Sequence, residues 1–405
     1  MNTITRIHAE RILDSRGKPT LRVSVETSGG RGSFDVPSGA STGSREAREL
    51  RDADGGVASA VHAVEDLSTA LSGSRITDQA VFDARLRELD GTRDKSRLGG
   101  NALIGASIAF ARAQAASEKH ELYYHLRSLA TMSPSRETPR LFVNLVNGGK
   151  HAEGGSPIQE HQIVTETDDI AEALAQAEAV EAAIASIMTE RGILQKHGDE
   201  GGVVFPVASV DEPFALLTEA IARAGISGLS IGADAAASSF YADGSYDILG
   251  VAHTKDALST LYASLHEKHG LAFLEDPFEE NDGAAFAALK RTVPGFTLIG
   301  DDLTTTDPAA IRTAAEQGAI QAVIVKPNQI GTLSETIEAM KAAREHGVHC
   351  IVSHRSGDTM DPFIADLAFA FGAYGLKAGA PRAPERRVKY ERLIEISHGA
   401  THRSL

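Results

Sequence analysis

The stretch "LAFLEDPFEENDGAAFAALKRTVPGFTLIGDDL" (271–303) carries one structural unit and the start of the next. A short apolar run ends on an acid, Glu275. A segment with helical spacing follows, and a second apolar run ends on another acid, Asp301. The pattern continues on either side. "LSIGAD" ends on Asp234, "AVIVK" on Lys326, "CIVSH" on His354 and "AYGLK" on Lys377. After Glu275 these residues recur at intervals of roughly 25, the length of one strand–helix unit in a (β/α)8 barrel. In such a barrel every one of them points into the cup at the C-terminal face. Three carboxylates, two lysines and a histidine converging there make a divalent-cation site with an acid/base pair.

A chain of 405 residues has room for two domains, one of them barrel-sized. It is 42% hydrophobic and 23% charged, which supports a large core. No apolar run approaches the roughly 18 residues of a membrane span. The start, "MNTITRIHAERILDSRG", has no apolar targeting segment, so a cytoplasmic protein is expected. The single cysteine, Cys350, lies inside an apolar run and reads as a buried strand residue in a reducing compartment. The net charge of −15 speaks against nucleic acid as a partner, and leaves room for a small anionic substrate at a local cationic site.

Residues 4–36 alternate as strands, with turn signals at "DSRGKP" and "SGGRG", and predict a three-stranded antiparallel meander. Helices are expected from "SREARELRDAD", "GVASAVHAVEDLSTAL", "QAVFDARLRELD" and the long run "GGNALIGASIAFARAQAASEKHELYYHLRSL". "ATMSPSRETPR" (130–140) reads as a linker. Strands and helices alternate after it. The expected organisation is an α+β N-terminal domain over residues 1–133 and an α/β barrel over 134–405.

A hard cation takes oxygen ligands, and Asp234, Glu275 and Asp301 supply three from three strands. Singly each could be a surface acid or a helix cap; together with two lysines the cation reading prevails. A lysine at a barrel mouth is costly unless it is paired or functional. Lys326 and Lys377, near each other and near metal, are expected to have their pKa values drawn down, as a general base requires; a salt bridge to a neighbouring carboxylate is the other reading. "HGDEGG" places Asp199 and Glu200 in a glycine-flanked loop. "VPSGASTGSREA" (36–47) offers hydroxyls and backbone N–H groups to a phosphate or a metal. "NGGKHAEGG" carries His151. "SHRSGD" presents His354, Arg355 and Ser356, and arginine beside a hydroxyl suits phosphate or carboxylate.

With these residues in view the sequence resembles the enolase family. The likeness runs from "ILDSRGKPT" (12–20) through "VPSGASTG", "NALIGASIAFARA", "NGGKHA", "QEHQI", "GDEGG", "LEDPFEE", "GDDL", "KPNQIGTLSET" and "VSHRSGDT" to "KAGAPRAPER" (377–386). It implies a small α+β cap on a (β/α)8-type barrel, a homodimer or higher homo-oligomer, and Mg²⁺-dependent reversible dehydration of 2-phosphoglycerate, a small phosphorylated carboxylate. Position by position it implies Asp234, Glu275 and Asp301 as ligands of a first Mg²⁺, and Ser41 as ligand of a second that arrives with substrate. It implies Lys326 as general base and Glu200 as general acid with Glu160 beside it. Lys377 and Gln159 would face the substrate, Arg355 and Ser356 would bind its phosphate, and His151 and His354 would close over it.

The chain departs from the family pattern at His161, Ser239, Pro327 and "SGDTMD", and it has no tryptophan at all. An alternative reading follows from these changes. The same site could serve phosphonate biosynthesis, forming carboxyphosphonoenolpyruvate from 2-phosphoglycerate and a nucleotide-activated phosphonoformate. A third class, a non-enzymatic surface-binding role, has little support, because the C-terminal "SHGATHRSL" contains no lysine.

Overall fold

The computed structural model describes residues 2–39, 43–152 and 154–401. Strands β1 (Ile4–Leu13), β2 (Pro19–Thr27) and β3 (Arg31–Asp35) pair antiparallel in that order, as the alternation predicts. Asp14 builds the first turn: its carboxylate accepts the backbone N–H groups of Arg16 and Lys18, both at 2.9 Å. Helices α1 (Ala58–Leu71), α2 (Gln79–Asp90), α3 (Gly100–Glu118) and α4 (Leu122–Leu129) follow. Helix α3 is buried all round from Gly100 to Ala111, which its alanine-rich sequence permits. It lies tight against β3: a Cβ on Gly32 would meet the Ala109 carbonyl at 2.3 Å. The long helical run breaks at Lys119, whose left-handed backbone (φ 56°) separates α3 from α4.

One expected helix is absent. Residues 44–54, "SREARELRDAD", form an extended strap with turns. Their backbone N–H groups bond across the molecule instead, from Ala47 to Gln329 O, Arg48 to Asp94 O and Leu50 to Asn101 Oδ1. Tertiary partners override the local propensity here.

The second half closes a barrel. The strands are β4 (Arg140–Asn147), β5 (Glu160–Thr165), β6 (Leu229–Asp234), β7 (Leu271–Glu275), β8 (Thr297–Gly300), β9 (Ala322–Val325), β10 (His349–Ser353) and β11 (Gly375–Lys377). Pairing of β11 with β4 completes the ring. A short hairpin, Lys196–His197 with Val203–Val204, extends from β4 outside it. The ring is parallel except at β5, which runs antiparallel to both β4 and β6. Between β4 and β5 there is a loop and no crossover helix. As a result the first residue of β5, Glu160, lies at the same barrel end as the last residues of the other strands.

Strand alternation sorts the barrel residues into an inner and an outer set. Inside, Phe142, Val164, Phe273, Ile299, Ala322, Ile324 and Ile351 pack into a separate apolar floor. Outside, Leu274, Leu298, Val323, Val325, Cys350 and Val352 face the helices. Helices α5 (Ile170–Glu190) and α6 (Asp211–Ala224) begin this outer layer. Cys350 is wholly buried in it, and burial pushes its thiol up to about 11. Among the described residues no helix is long and apolar enough to cross a membrane.

Candidate active site

The cup follows from the floor by the same alternation. Two residues beyond Phe273 stands Glu275, beyond Ile299 stands Asp301, beyond Ile324 stands Lys326 and beyond Phe142 stands Asn144. On the antiparallel β5, Glu160 and Gln162 precede Val164 in the same register. Glu160 pairs across strands with Asp234, and Asp234 with Glu275, so three buried carboxylates line up along one wall.

Lys377 answers them. Its Nζ lies 2.7 Å from Glu275 Oε2, 3.1 Å from Glu160 Oε1 and 3.2 Å from Asp234 Oδ2. Gln159 donates to Asp234 Oδ2 at 3.3 Å, and Gln162 to Glu160 Oε2 at 2.8 Å. Lys326 is ion-paired with Asp301, whose other oxygen accepts from Gln329 at 3.0 Å. The salt-bridge reading therefore holds for both lysines, and the expectation of lowered pKa values does not. Burial alone would lower each one. Asp301 nevertheless pushes Lys326 up to about 12, and Glu160, Glu275 and Asp234 hold Lys377 well above its ordinary value.

The carboxylates show the opposite strain. Burial, then the neighbouring Asp234, drives Glu275 far above the usual carboxylate range. Burial and Glu200 push Glu160 up to about 8, against the pull of Lys377. Burial would raise Asp301, but Lys326, Lys377 and Arg355 together hold it below its ordinary value. Asp276, the residue after Glu275, accepts the backbone N–H groups of Asp301 (3.0 Å) and Asp302 (2.6 Å) and so shapes the turn that presents Asp301.

A second wall holds the anion-binding and acid groups. Glu200 lies 3.3 Å from His354 Nε2 and accepts from Asn144 at 3.0 Å. Arg355 is buried; its guanidinium donates to Asn328 at 2.8 Å and to Glu46 at 3.0 Å, so the strap after the first loop reaches into the site. Ser356 is buried beside it. Gly379 allows the final strand to close here: its φ is +80°, and a Cβ would meet the Glu200 carbonyl at 2.9 Å and the His354 ring at 3.1 Å. Gln159, Glu160, Glu200, Asp234, Lys326, His354, Arg355, Ser356 and Lys377 line one cleft.

Of the residues read from sequence, Ser41 lies outside the described residues. For His151 only the backbone is described, and it closes the turn Gly149–His151. Sequence reasoning missed Asn144, Gln162, Asp276, Asn328, Gln329, Glu46 and Arg386. Asn144 and Gln162 were within reach, since strand alternation puts them on the inner face. Glu46 and Arg386 were not, because their contacts depend on a strap and a helix folding back.

Two groupings of potential ligands stand close together, Glu160–Glu200–His354 and Asp276–Asp301–Asp302. In the second, both Asp276 oxygens already accept backbone N–H groups. The strand-end set Asp234, Glu275 and Asp301 suits a hard divalent cation better. All its donors are oxygens, Asp234 lines the cleft, and Glu275 Oε1 is buried with no hydrogen-bond partner among the described residues.

The model of the enolase N-terminal domain matches residues 4–126, and that of the enolase C-terminal TIM barrel domain matches residues 136–404. The chain belongs to the enolase family. Enolase of Methanopyrus kandleri is 41% identical over 412 residues, covering 98% of this chain and 96% of its own. Enolase of Metallosphaera sedula is 40% identical, with the same coverage of both chains. Enolase B of Dictyostelium discoideum is 42% identical over 421 residues, 97% of this chain and 94% of its own. By family this chain is an enzyme of the hydro-lyase class. Two departures from the enolase pattern fall away from the cleft. His161 points outward to Phe214 of α6, ring centroids 4.8 Å apart, and Ser239 lies on the surface. Pro327 starts the single turn Pro327–Ile330 directly after Lys326.

Proposed function

We propose that this enolase-family chain catalyses the reversible dehydration of 2-phosphoglycerate to phosphoenolpyruvate, dependent on a divalent cation, Mg²⁺ by ligand type. The observation that carries the reading is a cleft with an ammonium on one side, Lys326, and a carboxyl with its own donor network on the other, Glu200. Arg355 and Ser356 line the same cleft and would hold a phosphate there. Asp234, Glu275 and Asp301 would hold the cation, and Ser41 is proposed for a second one. When bound, such ions supply positive charge against the substrate carboxylate as its α-proton becomes acidic.

The remaining roles belong to the chain. Lys326 takes the α-proton. Asp301 keeps it charged at rest; Arg355 and Lys377, both cationic neighbours, favour its neutral form once Asp301 is engaged elsewhere. Lys377, buried among carboxylates, stays an ammonium and faces the substrate carboxylate beside Gln159. Arg355 exchanges Glu46 for the phosphate, a like-for-like swap of anions. Glu200 delivers the proton that lets the 3-hydroxyl leave as water. Glu160, whose raised pKa favours its protonated form near neutral pH, stands next to it. A cytoplasmic homodimer fits the same reading. Of the departures behind the phosphonate alternative, His161 and Ser239 lie outside the cleft, while Pro327 directly follows Lys326 and Ser356 lines it.

The test is a steady-state assay with 2-phosphoglycerate and Mg²⁺, following phosphoenolpyruvate, with a chelator control. Chelator-sensitive turnover is expected. Absent turnover with 2-phosphoglycerate still bound overturns the reading.

A further inference from the structure

Among the described residues Arg386 is the largest wholly buried side chain; it ends the stretch "KAGAPRAPER", in which the resemblance assigns it no role. It lies in the first turn of the C-terminal helix Pro384–Thr401. Its Nη1 donates to His354 Nδ1 at 2.7 Å and to the Arg355 carbonyl at 2.6 Å. Its Nη2 donates to the Ser356 carbonyl at 2.7 Å and the Asp199 carbonyl at 2.9 Å. These bonds employ every hydrogen on the two Nη atoms.

A guanidinium has donors and no acceptor, and it does not lose its proton in a protein. The ring nitrogen it meets must therefore present a lone pair. An imidazole that accepts at Nδ1 carries its proton on Nε2, and Nε2 faces Glu200 Oε1 at 3.3 Å, close enough to pair but outside hydrogen-bond geometry in this arrangement. Protonating Nδ1 would aim an N–H at an N–H of a fixed cation. Three charged groups face the imidazole: Glu200, Arg386 and Asp358, the last tied to Lys389 at 2.9 Å. Burial, with Arg386, outweighs both acids and holds the ring neutral, its pKa down to about 4.

We propose that Arg386 is a positioning residue that fixes His354 as the neutral Nε2–H tautomer, making His354 a hydrogen-bond donor to Glu200 and not a proton acceptor. Two consequences follow. With a small rotation to meet the N–H, the Glu200 carboxyl is held in one orientation, while the same guanidinium anchors Asp199 and the Arg355–Ser356 backbone. One side chain thus sets the acid-bearing loop against the phosphate-bearing loop. In addition, Nε2 has no lone pair for a cation, which removes Glu160–Glu200–His354 as a metal site and leaves the strand-end carboxylates.

The test is nitrogen NMR on the full chain labelled at histidine. The chain has 15 histidines, and the His354 signals are those lost in His354→Gln. The wild type is expected to show His354 as neutral Nε2–H from about pH 6 to 8, where a free histidine titrates. Arg386→Lys, a donor-only replacement, is expected to keep that tautomer. Arg386→Gln, whose amide both donates and accepts, is expected to admit the Nδ1–H form. On the proposed reaction, Arg386→Gln should also lower kcat by about 100-fold, in the range of misplaced acid–base groups, with a smaller change in KM. Finding wild-type His354 as Nδ1–H, or as imidazolium near neutral pH, overturns the proposal whether or not the chain turns over 2-phosphoglycerate. An unchanged tautomer in Arg386→Gln overturns it as well. Should that variant not fold, the wild-type spectrum and Arg386→Lys decide.

Discussion

The floor and the cup of the barrel are built by the same strands, on the same face, two residues apart, yet they contribute opposite things to the molecule. In the floor, Phe142, Phe273, Ile299, Ile324 and their neighbours gain stability by burial alone. In the cup, Glu160, Asp234, Glu275 and Asp301 are buried around the ammonium groups of Lys326 and Lys377, and several carboxyl groups are pushed far from their ordinary pKa. The floor holds the cup's charges where they do not wish to be. Charge buried at such cost marks a functional site, because structural needs alone would be met by apolar side chains.

The comparison can be broken most forcefully at Lys326. Lys326→Ala should cut turnover by about 1,000-fold or more, within the range of general-base removal, with 2-phosphoglycerate still bound. Near-normal turnover in a direct assay would end its role as base. Next in size is Phe273→Ala, which should destabilise the fold by about 3–5 kcal/mol in denaturant unfolding. A loss under ~1 kcal/mol would mean the floor is not the support described here. Glu275→Gln, one step up the same strand face, should behave in the contrary way. Its metal-free stability should be equal to or above wild type, while the stabilisation by saturating Mg²⁺, about 2.7 kcal/mol at a hundredfold excess over Kd, should vanish from thermal melts. A retained Mg²⁺ shift would remove Glu275 from the ligand set.

The least effect on turnover belongs to His161, which lies in neither region. It is buried, its Nδ1 bonds the Val146 carbonyl at 3.0 Å, and its Nε2 has no partner among the described residues. Burial lowers its pKa from 6.5 to about 4. A depressed histidine pKa means that the folded state resists protonation. The neutral ring's contribution is complete above about pH 6.5 and is lost as pH falls through 4, a drop on the order of 3 kcal/mol. His161→Phe should flatten that acid limb and leave turnover unchanged. An identical acid limb would show that other groups govern it.

Much of this was legible in the sequence, and the reason is periodicity. Apolar runs ending on ionisable residues, repeated at one unit length, place Asp234, Glu275, Asp301, Lys326, His354 and Lys377 before any coordinate is known. What escaped was set by contacts without local signal. The strap 44–54 has helix-forming residues, but its N–H groups find partners in Gln329, Asp94 and Asn101. The reversal of β5 depends on a loop whose sequence looks like any other. The lysine pKa values could not be read from like charges alone, because the deciding partners were the carboxylates across the cup.

Cys350 has a practical consequence. It is the chain's single thiol, shut inside the wall between strand and helix and held fully protonated by its surroundings, and the chain contains no tryptophan. The folded molecule is therefore a silent background for thiol labelling and for indole emission. A cysteine introduced on the strap or beside the cleft would take a label without competition, and one introduced tryptophan would be the sole indole emitter. Motions at the mouth of the cup can be followed on the otherwise unaltered chain.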